Sequence, residues 1–143
     1  MEFPRDRSYA DLIEGMTEEH DYVITPTVFQ SFLTAFDDRS PVHVDEEYAK
    51  ASGFDGAVMH GGILNGFLSH FVGMVLPGTR SLLLTTDLRF LQPSYLGDLI
   101  RLKATISQRL DTHQTVVLQM AFFNQTRDYL AANGRVQVKV RSE

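Results

Sequence analysis

The spacing of apolar residues changes from a helical period to a strand period partway along this sequence. Between residues 61 and 76, apolar side chains surround most of a predicted helix. These side chains are Ile63, Leu64, Phe67, Leu68, Phe71, Val72 and Val75. From residue 82 onward, apolar and polar residues alternate, which is typical of strands with one apolar face. The sequence therefore predicts a buried helix followed by a sheet.

Four segments of the second half carry the alternating pattern. Their apolar members are Leu82, Leu84, Leu88 and Phe90, then Ile100, Leu102, Ala104 and Ile106, then Val116, Leu118, Met120 and Phe122, then Leu130, Ala132, Val136, Val138 and Val140. Short connections at residues 93–98, 110–114 and 126–128 indicate an antiparallel meander, and residues 22–24 are a candidate fifth strand. Val117, Ala121 and Phe123 would lie on the outer face, where they suggest either a dimer contact or ordinary surface apolar residues.

The predicted central helix contains interior glycines. They are Gly62, Gly66 and Gly73. Each costs about 1 kcal/mol relative to alanine, so we expect close approach by another backbone, such as a sheet wrapped around the helix. The expected architecture is α+β, with one antiparallel sheet curled around one buried helix.

The first half is predicted to be helical and rich in loops. Thr25 and Pro26 form a typical helix start, and apolar residues recur at spacings of three and four as far as Phe36. This helix is expected to end before Pro41, because a residue preceding proline avoids helical geometry. A second, short helix is expected over residues 45–49, with carboxylates in its first turn.

Composition narrows the class of protein. The 143 residues are 43% hydrophobic and 22% charged, as expected for one folded domain over residues 1–143. The net charge of −5, without a cluster of basic residues, argues against nucleic-acid binding. The absence of cysteine excludes thiolate nucleophiles, disulfides and cysteine-based zinc sites. With no apolar signal segment at the start and no run long enough to span a bilayer, we expect a cytoplasmic protein that makes no membrane contact.

A carboxylate and an imidazole lie five residues apart in the first candidate functional stretch. Asp38 and His43 flank Pro41, which is expected to stiffen the loop that carries them. Acid–base catalysis needs groups of this kind held close together, and histidine ordinarily titrates near neutrality. On this stretch alone, an aspartate that caps a turn and a histidine packed on the surface are the better interpretation, because such pairs occur often by chance.

The second candidate stretch precedes the buried helix. His60, Gly61 and Gly62 place free backbone N–H groups at a helix start, where the helix dipole favours negative charge. Glycine also allows a ligand to approach the backbone closely. Such an arrangement can hold a thioester oxygen as it gains negative charge, although two glycines can equally make a tight turn.

Together the two stretches resemble the MaoC-like, or (R)-specific enoyl-CoA hydratase, family. That family has a motif of the form Gly-Asp-x-Asn-Pro-hydrophobic-His, then an acidic residue and a short helix, then a His-Gly pair that opens the central helix. The matching residues are Asp37-Asp38-Arg39-Ser40-Pro41-Val42-His43, Asp45, Ala49 and His60-Gly61. Later family features, Phe-x-x-Pro and Gly-Asp before a long strand, match Phe90-Leu91-Gln92-Pro93 and Gly97-Asp98. The resemblance covers roughly Thr25 to Val140.

The resemblance implies a hot-dog fold and a homodimer, or a dimer of dimers. Asp38 and His43 would activate a water that adds to a trans-2-enoyl thioester, or would remove water from an (R)-3-hydroxyacyl thioester. The N–H of Gly61 would hold the thioester oxygen. The other residues implied to contact the substrate are Ser40, His60, Gly62 and Ser69. No metal or cofactor is implied beyond the coenzyme A or acyl carrier that forms part of the substrate.

Two positions depart from the motif, since Asp37 replaces its glycine and Ser40 its asparagine. These changes bear on substrate preference before they bear on the chemistry. The carrier's phosphates have no single obvious partner in the sequence. The candidates are Lys50, Arg80, Arg89 and Arg101.

Three other interpretations are open. A hot-dog thioesterase generally carries a carboxylate on or near the central helix, and this chain has no Asp or Glu between Gly56 and Thr86. A non-catalytic acyl-thioester-binding subunit of a heteromeric hydratase would have no need for both Asp38 and His43. A metal site formed by His43, Asp45 and His60 has suitable ligand types, but the resemblance gives His43 another task.

Overall fold

The computed structural model describes residues 3–142 of the chain. Five strands and four helices make up most of it. In chain order they are β1 (Thr17–Val23), α1 (Pro26–Phe36), α2 (Pro41–Val44), α3 (Glu46–Ala51), α4 (Gly61–Met74), β2 (Ser81–Phe90), β3 (Leu99–Leu110), β4 (Thr115–Asn124) and β5 (Tyr129–Val140). Within residues 3–142, no helix is both long and apolar enough to cross a bilayer.

The strands form one antiparallel sheet in the order β1-β3-β4-β5-β2. The predicted meander is confirmed for β3, β4 and β5, whose neighbours pair in sequence. It is wrong for β2, which pairs with β5 at the far edge instead of with β3. The physical reason is the connection over residues 91–98, which is long enough to carry the chain across the sheet. The fifth strand exists, but it runs from Thr17 to Val23 and ends before Ile24.

The predicted buried helix is α4, and it packs on the inner face of this sheet. Phe71 and Leu68 of α4 are almost completely buried, as are Phe122, Leu118 and Val136 of the strands. Full burial of such a side chain contributes roughly 1.5–3 kcal/mol. The contact between α4 and the sheet therefore forms the core, and it fixes where the start of α4 lies.

The glycines of α4 were expected to permit close approach by another backbone, and this explanation does not hold for all of them. A Cβ on Gly62 would lie 2.6 Å from the ring of Phe32, so the close neighbour at this point is an α1 side chain and not the sheet backbone. Gly66 and Gly73 have no neighbour within 4 Å of such a Cβ among the described residues. Within a single chain, the prediction that glycine permits close approach by another element is therefore wrong for Gly66 and Gly73.

Strand β2 departs from the expected one-sided burial. Leu82 is 53% exposed and Leu84 is 48% exposed, because β2 lies at the sheet edge and the register shifts between Leu83 and Thr85. Val117, by contrast, is already buried within the single chain. The exposed apolar side chains of the sheet thus concentrate on its β2 edge.

Candidate active site

The end of α1 places Asp38. Asp37 closes the helix in the left-handed region at φ 54°, and its carboxylate accepts a hydrogen bond from Arg39 at 2.7 Å. The next residue, Asp38, leaves the helix, and its Oδ1 accepts the Ser40 N–H at 3.2 Å. One carboxylate oxygen of Asp38 is therefore tied to the local backbone, and the other is free to face a neighbour.

His43 lies on α2, a single helical turn where a loop was expected. Pro41 occupies the first turn, where its fixed φ suits a helix and its missing N–H costs nothing. Ser40 before it has ψ 133°, the extended geometry that a residue preceding proline prefers. Pro41 therefore starts a helical turn and does not lie in the loop expected from the sequence.

The His43 ring is oriented by a backbone carbonyl. Its Nδ1 lies 2.6 Å from the oxygen of Val58, and because a carbonyl can only accept, Nδ1 carries the hydrogen. The N–H of Val58 in turn donates to the carbonyl of Val42 at 2.8 Å. Sequence reasoning missed this role of Val58, since a backbone carbonyl has no side-chain signature. When the ring is neutral, Nε2 of His43 therefore presents a lone pair.

The structure brings Asp38 and His43 together. Nε2 of His43 lies 3.8 Å from Oδ2 of Asp38. The histidine side chain is 18% exposed and the aspartate side chain 50% exposed, so the pair lies at the protein surface and is accessible to water. Both facing atoms are acceptors when histidine is neutral and aspartate ionised, so they do not bond directly to each other.

An apolar cavity of about 450 Å³ opens beside this pair. His43, His60 and Gly61 line one part of it, and Phe54, Leu64 and Phe90 are among the apolar residues that line the rest. Asp38 itself does not line the cavity, but its neighbour His43 does. The cavity combines an apolar wall with few polar groups, as small-molecule sites commonly do.

The start of α4 faces the same cavity. Gly61 is the first residue of the helix, where backbone N–H groups have no partner within the helix. The ring of Phe90 lies 3.3 Å from the position that a Cβ on Gly61 would occupy. Phe90 begins the Phe-x-x-Pro feature of the sequence, and the structure places its side chain against the start of α4.

Three other predicted site residues do not line this cavity. Gly62 faces Phe32 and does not line the cavity. Ser69 is exposed two turns further along α4 and also does not line it. Ser40 contacts Asp38 through its backbone N–H, which donates a hydrogen bond to the Asp38 carboxylate.

Asp45 does not join His43 and His60. It caps α3, where its carboxylate accepts the N–H of Tyr48 at 3.1 Å. Among the described residues, the group with metal-ligand spacing is instead Asp38, His43 and His60, whose ligand atoms lie within 4.8 Å of one another.

The two imidazoles of that group are stacked, with centroids 4.1 Å apart and planes inclined by 29°. A metal ion lies in the plane of each imidazole that binds it, and two nearly parallel planes do not meet at bonding distance from both rings. The arrangement therefore suits acid–base chemistry better than it suits a shared ion.

The candidates for contacting the carrier's phosphates are dispersed. Arg80 pairs with Asp6, and Arg101 pairs with Asp21. Arg89 lines a cleft on the outer face of the sheet, and Lys50 is exposed in the last turn of α3. These positions do not converge on the cavity beside His43.

The chain matches the family model described as the MaoC like domain over residues 12–122. It is 26% identical over 132 residues to a 3-hydroxybutyryl-CoA dehydratase of Methylorubrum extorquens, covering 92% of this chain and 83% of that protein. It is 28% identical over 99 residues to an (R)-specific enoyl-CoA hydratase of Rhodospirillum rubrum, covering 69% of each.

Solved structures show the same fold. The R-hydratase PhaJ1 of Pseudomonas aeruginosa, in its unliganded form, has a TM-score of 0.86 at 29% identity and covers 95% of this chain and 86% of that one. The (R)-hydratase of A. caviae involved in PHA biosynthesis has a TM-score of 0.84 at 25% identity, covering 91% and 98%. The expected hot-dog fold is thereby confirmed.

Proposed function

The chain belongs to the MaoC-like dehydratase family, and on this premise we propose that it interconverts trans-2-enoyl thioesters and (R)-3-hydroxyacyl thioesters. The activity is that of a hydro-lyase, which adds water to a double bond or removes it. The names of its relatives, an (R)-specific enoyl-CoA hydratase and a 3-hydroxybutyryl-CoA dehydratase, support this class of reaction.

The observation that carries the proposal is the 3.8 Å separation of His43 Nε2 and Asp38 Oδ2 beside the cavity. Two acceptors at this distance can share one water molecule that donates a hydrogen bond to each of them. Such a water has its oxygen lone pairs free, and general bases commonly act at hydrogen-bond distance or through one water. The tautomer set by Val58 keeps the Nε2 lone pair available for this purpose.

In the hydration direction, the water oxygen bonds to C3 of the enoyl thioester. The Asp38–His43 pair accepts one proton from the water, while the electrons of the double bond move toward the thioester oxygen. A proton from the pair is then delivered to C2, which regenerates the thioester carbonyl. Atoms and charge balance without any redox partner, and dehydration is the same sequence reversed.

The backbone N–H of Gly61 is proposed to hold the thioester oxygen while it carries negative charge. A donor aimed at such an oxygen stabilises the enolate more than the ground-state carbonyl, which is what accelerates the step. The carrier, coenzyme A or an acyl-carrier protein, enters as part of the substrate. The mechanism assigns no task to a metal or redox cofactor.

We further propose a homodimer, because β2 leaves an apolar edge uncovered. Leu82, Leu83 and Leu84 are all exposed on this strand, and an exposed apolar edge strand is a template for pairing with another chain. Pairing of β2 with the β2 of a second copy would continue the sheet and cover these leucines.

The test is an assay of the purified protein with trans-2-enoyl-CoA substrates of increasing chain length. Loss of the conjugated-thioester absorbance, with an (R)-3-hydroxyacyl product on chiral analysis, is the expected result. Free thiol is measured in parallel. Thiol release without hydration would identify a thioesterase, and inertness at every chain length that is relieved only by a partner protein would identify a binding subunit; either result contradicts the proposal.

A further inference from the structure

His60 is a buried histidine to which the proposed reaction gives no task. It precedes Gly61 at the start of α4, it is 3% exposed, and its side chain does not cap the helix. It contacts both Asp38 and His43, and these two contacts indicate what it does.

The first contact is a hydrogen bond to the backbone of Asp38. Nε2 of His60 lies 2.8 Å from the Asp38 carbonyl oxygen, so this nitrogen carries the hydrogen and donates it. The Asp38 carboxylate itself accepts a hydrogen bond from the Ser40 N–H. The bond from His60 fixes the point on the chain from which the Asp38 carboxylate projects.

The second contact is ring stacking against His43, at 4.1 Å between centroids. The His60 ring also packs against Phe32 of α1 at 4.7 Å and Phe29 at 5.9 Å. His43 is thus held in plane by its bond to Val58 and held in place by the face of His60. Packing against α1 limits how far the His60 ring itself can move.

The polar atoms of His60 are not available to a substrate. Nε2 is used by Asp38, and Nδ1 is buried with no hydrogen-bond partner in the described part of the chain. The residue lines the cavity, but its Nε2 is already bonded and its Nδ1 is buried. A role through its neighbours fits these facts better than the substrate contact expected from the sequence.

We propose that His60 is a positioning residue, whose hydrogen bond sets Asp38 and whose ring face sets His43 so that the two acceptors converge. The inference rests on the proposed function, because it assigns His60 to the same reaction. A displacement of about 1 Å in a catalytic group can cost about 100-fold in rate. A residue of this kind is therefore expected to affect kcat and not KM.

Paired variants separate the two contacts. H60Q keeps a donor for the Asp38 carbonyl and loses the ring face, whereas H60F keeps the ring face and loses the donor. Each is expected to lower kcat by about 10-fold and H60A by about 100-fold, with KM within about threefold of the wild type in all of them. H70Q, a histidine variant on α4 away from the cavity, is the matched control and is expected to keep the wild-type kcat.

Nitrogen NMR of His43 provides a readout that does not depend on turnover. In the substrate-free wild type, the neutral ring is expected as one tautomer, with hydrogen on Nδ1; in H60A, we expect a mixture of tautomers. An inactive wild-type protein with the expected NMR change would refute the proposed function and leave the positioning intact. Wild-type kcat in H60A, a rise in KM alone, or an unchanged His43 tautomer in H60A would each overturn the role of His60.

Discussion

Asp37 and Ser40 are the residues at which the chain departs from its family's motif, and each has a local explanation. Asp37 adopts the left-handed backbone geometry at φ 54°, which glycine favours and which aspartate tolerates better than most residues. Its carboxylate binds Arg39. Ser40 contributes its backbone N–H to Asp38, which any residue except proline can supply. Neither departure removes a contact that the proposed chemistry requires.

The N–H of Gly61 can be deleted with little harm to the helix. Proline is well tolerated at the first position of a helix, and His60 already has ψ 134°, which a residue before proline prefers. We expect G61P to lower kcat by about 100- to 1000-fold, because it removes the proposed oxyanion donor. Steady-state kinetics with circular dichroism checks this result.

The matched control for G61P is G61A. It adds a Cβ that meets the ring of Phe90 at 3.3 Å but keeps the N–H. We expect G61A to remain within about tenfold of the wild-type kcat, since Phe90 must shift only slightly. Equal losses in G61P and G61A would show that crowding, and not the missing donor, explains the effect.

Helix α4 joins two titratable clusters, one at its start and one further along. In the second, the Tyr22 hydroxyl lies 2.8 Å from Nδ1 of His70, and the His20 ring lies 5.6 Å from that of His70. Burial, and secondarily His20, lower the pKa of His70 below its ordinary value of 6.5. Burial also raises the pKa of Tyr22. These groups attach β1 to α4.

The lowered pKa of His70 has a defined effect on stability. Below about pH 6.5, the unfolded chain binds a proton at this position more readily than the folded chain does, so the free energy of unfolding falls as pH falls. In H70Q, which keeps a polar partner for Tyr22, we expect a smaller fall between about pH 7.5 and 5.5. Urea denaturation at both pH values measures the difference, with H113Q as control. An identical fall in H70Q and wild type would contradict this account.

Elements with a long, regular period were predictable from the sequence. The helices α1 and α4 and the strands β3 to β5 follow directly from spacing, because their apolar faces bury against one core. The position of β2 was not predictable, since alternation specifies a buried face and does not specify a neighbouring strand. The single turn of α2 is too short to show a period.

The side chains of the candidate site were predictable from the sequence, but its backbone contacts were not. Asp38, His43 and Gly61 were named from the sequence, and the structure gathers them beside one cavity. The Val58 carbonyl was not foreseeable, because backbone groups carry no residue-specific signal. The positioning contacts of His60 required the packing of α1 against α4, which sequence spacing does not reveal.

At the scale of the whole molecule, the edge strand β2 exposes three leucines, Leu82, Leu83 and Leu84, which another chain could cover. Charged residues on an edge strand oppose pairing with another chain. A variant with both L82K and L84K is therefore expected to be monomeric, whereas the wild type is expected at about twice the 16.2 kDa of one chain. Light scattering coupled to size exclusion measures both masses.

The control for the edge variant is L96K, which places a charge on another leucine of similar exposure, in the connection between β2 and β3. We expect L96K to remain dimeric. A monomeric wild type, or a dimer that persists in the double variant, would show that β2 is not the interface.

In the proposed reaction, Asp38 and His43 must act together on one water molecule. The most direct measurement is kcat for hydration of a trans-2-enoyl-CoA by D38N and H43Q, with D37N as the neighbouring-carboxylate control. Because acid–base catalysis contributes about 100- to 10,000-fold, we expect D38N and H43Q each to lose at least about 100-fold while remaining folded, and D37N to stay close to wild type. Full activity in D38N or in H43Q, or an equal loss in D37N, would contradict the central claim.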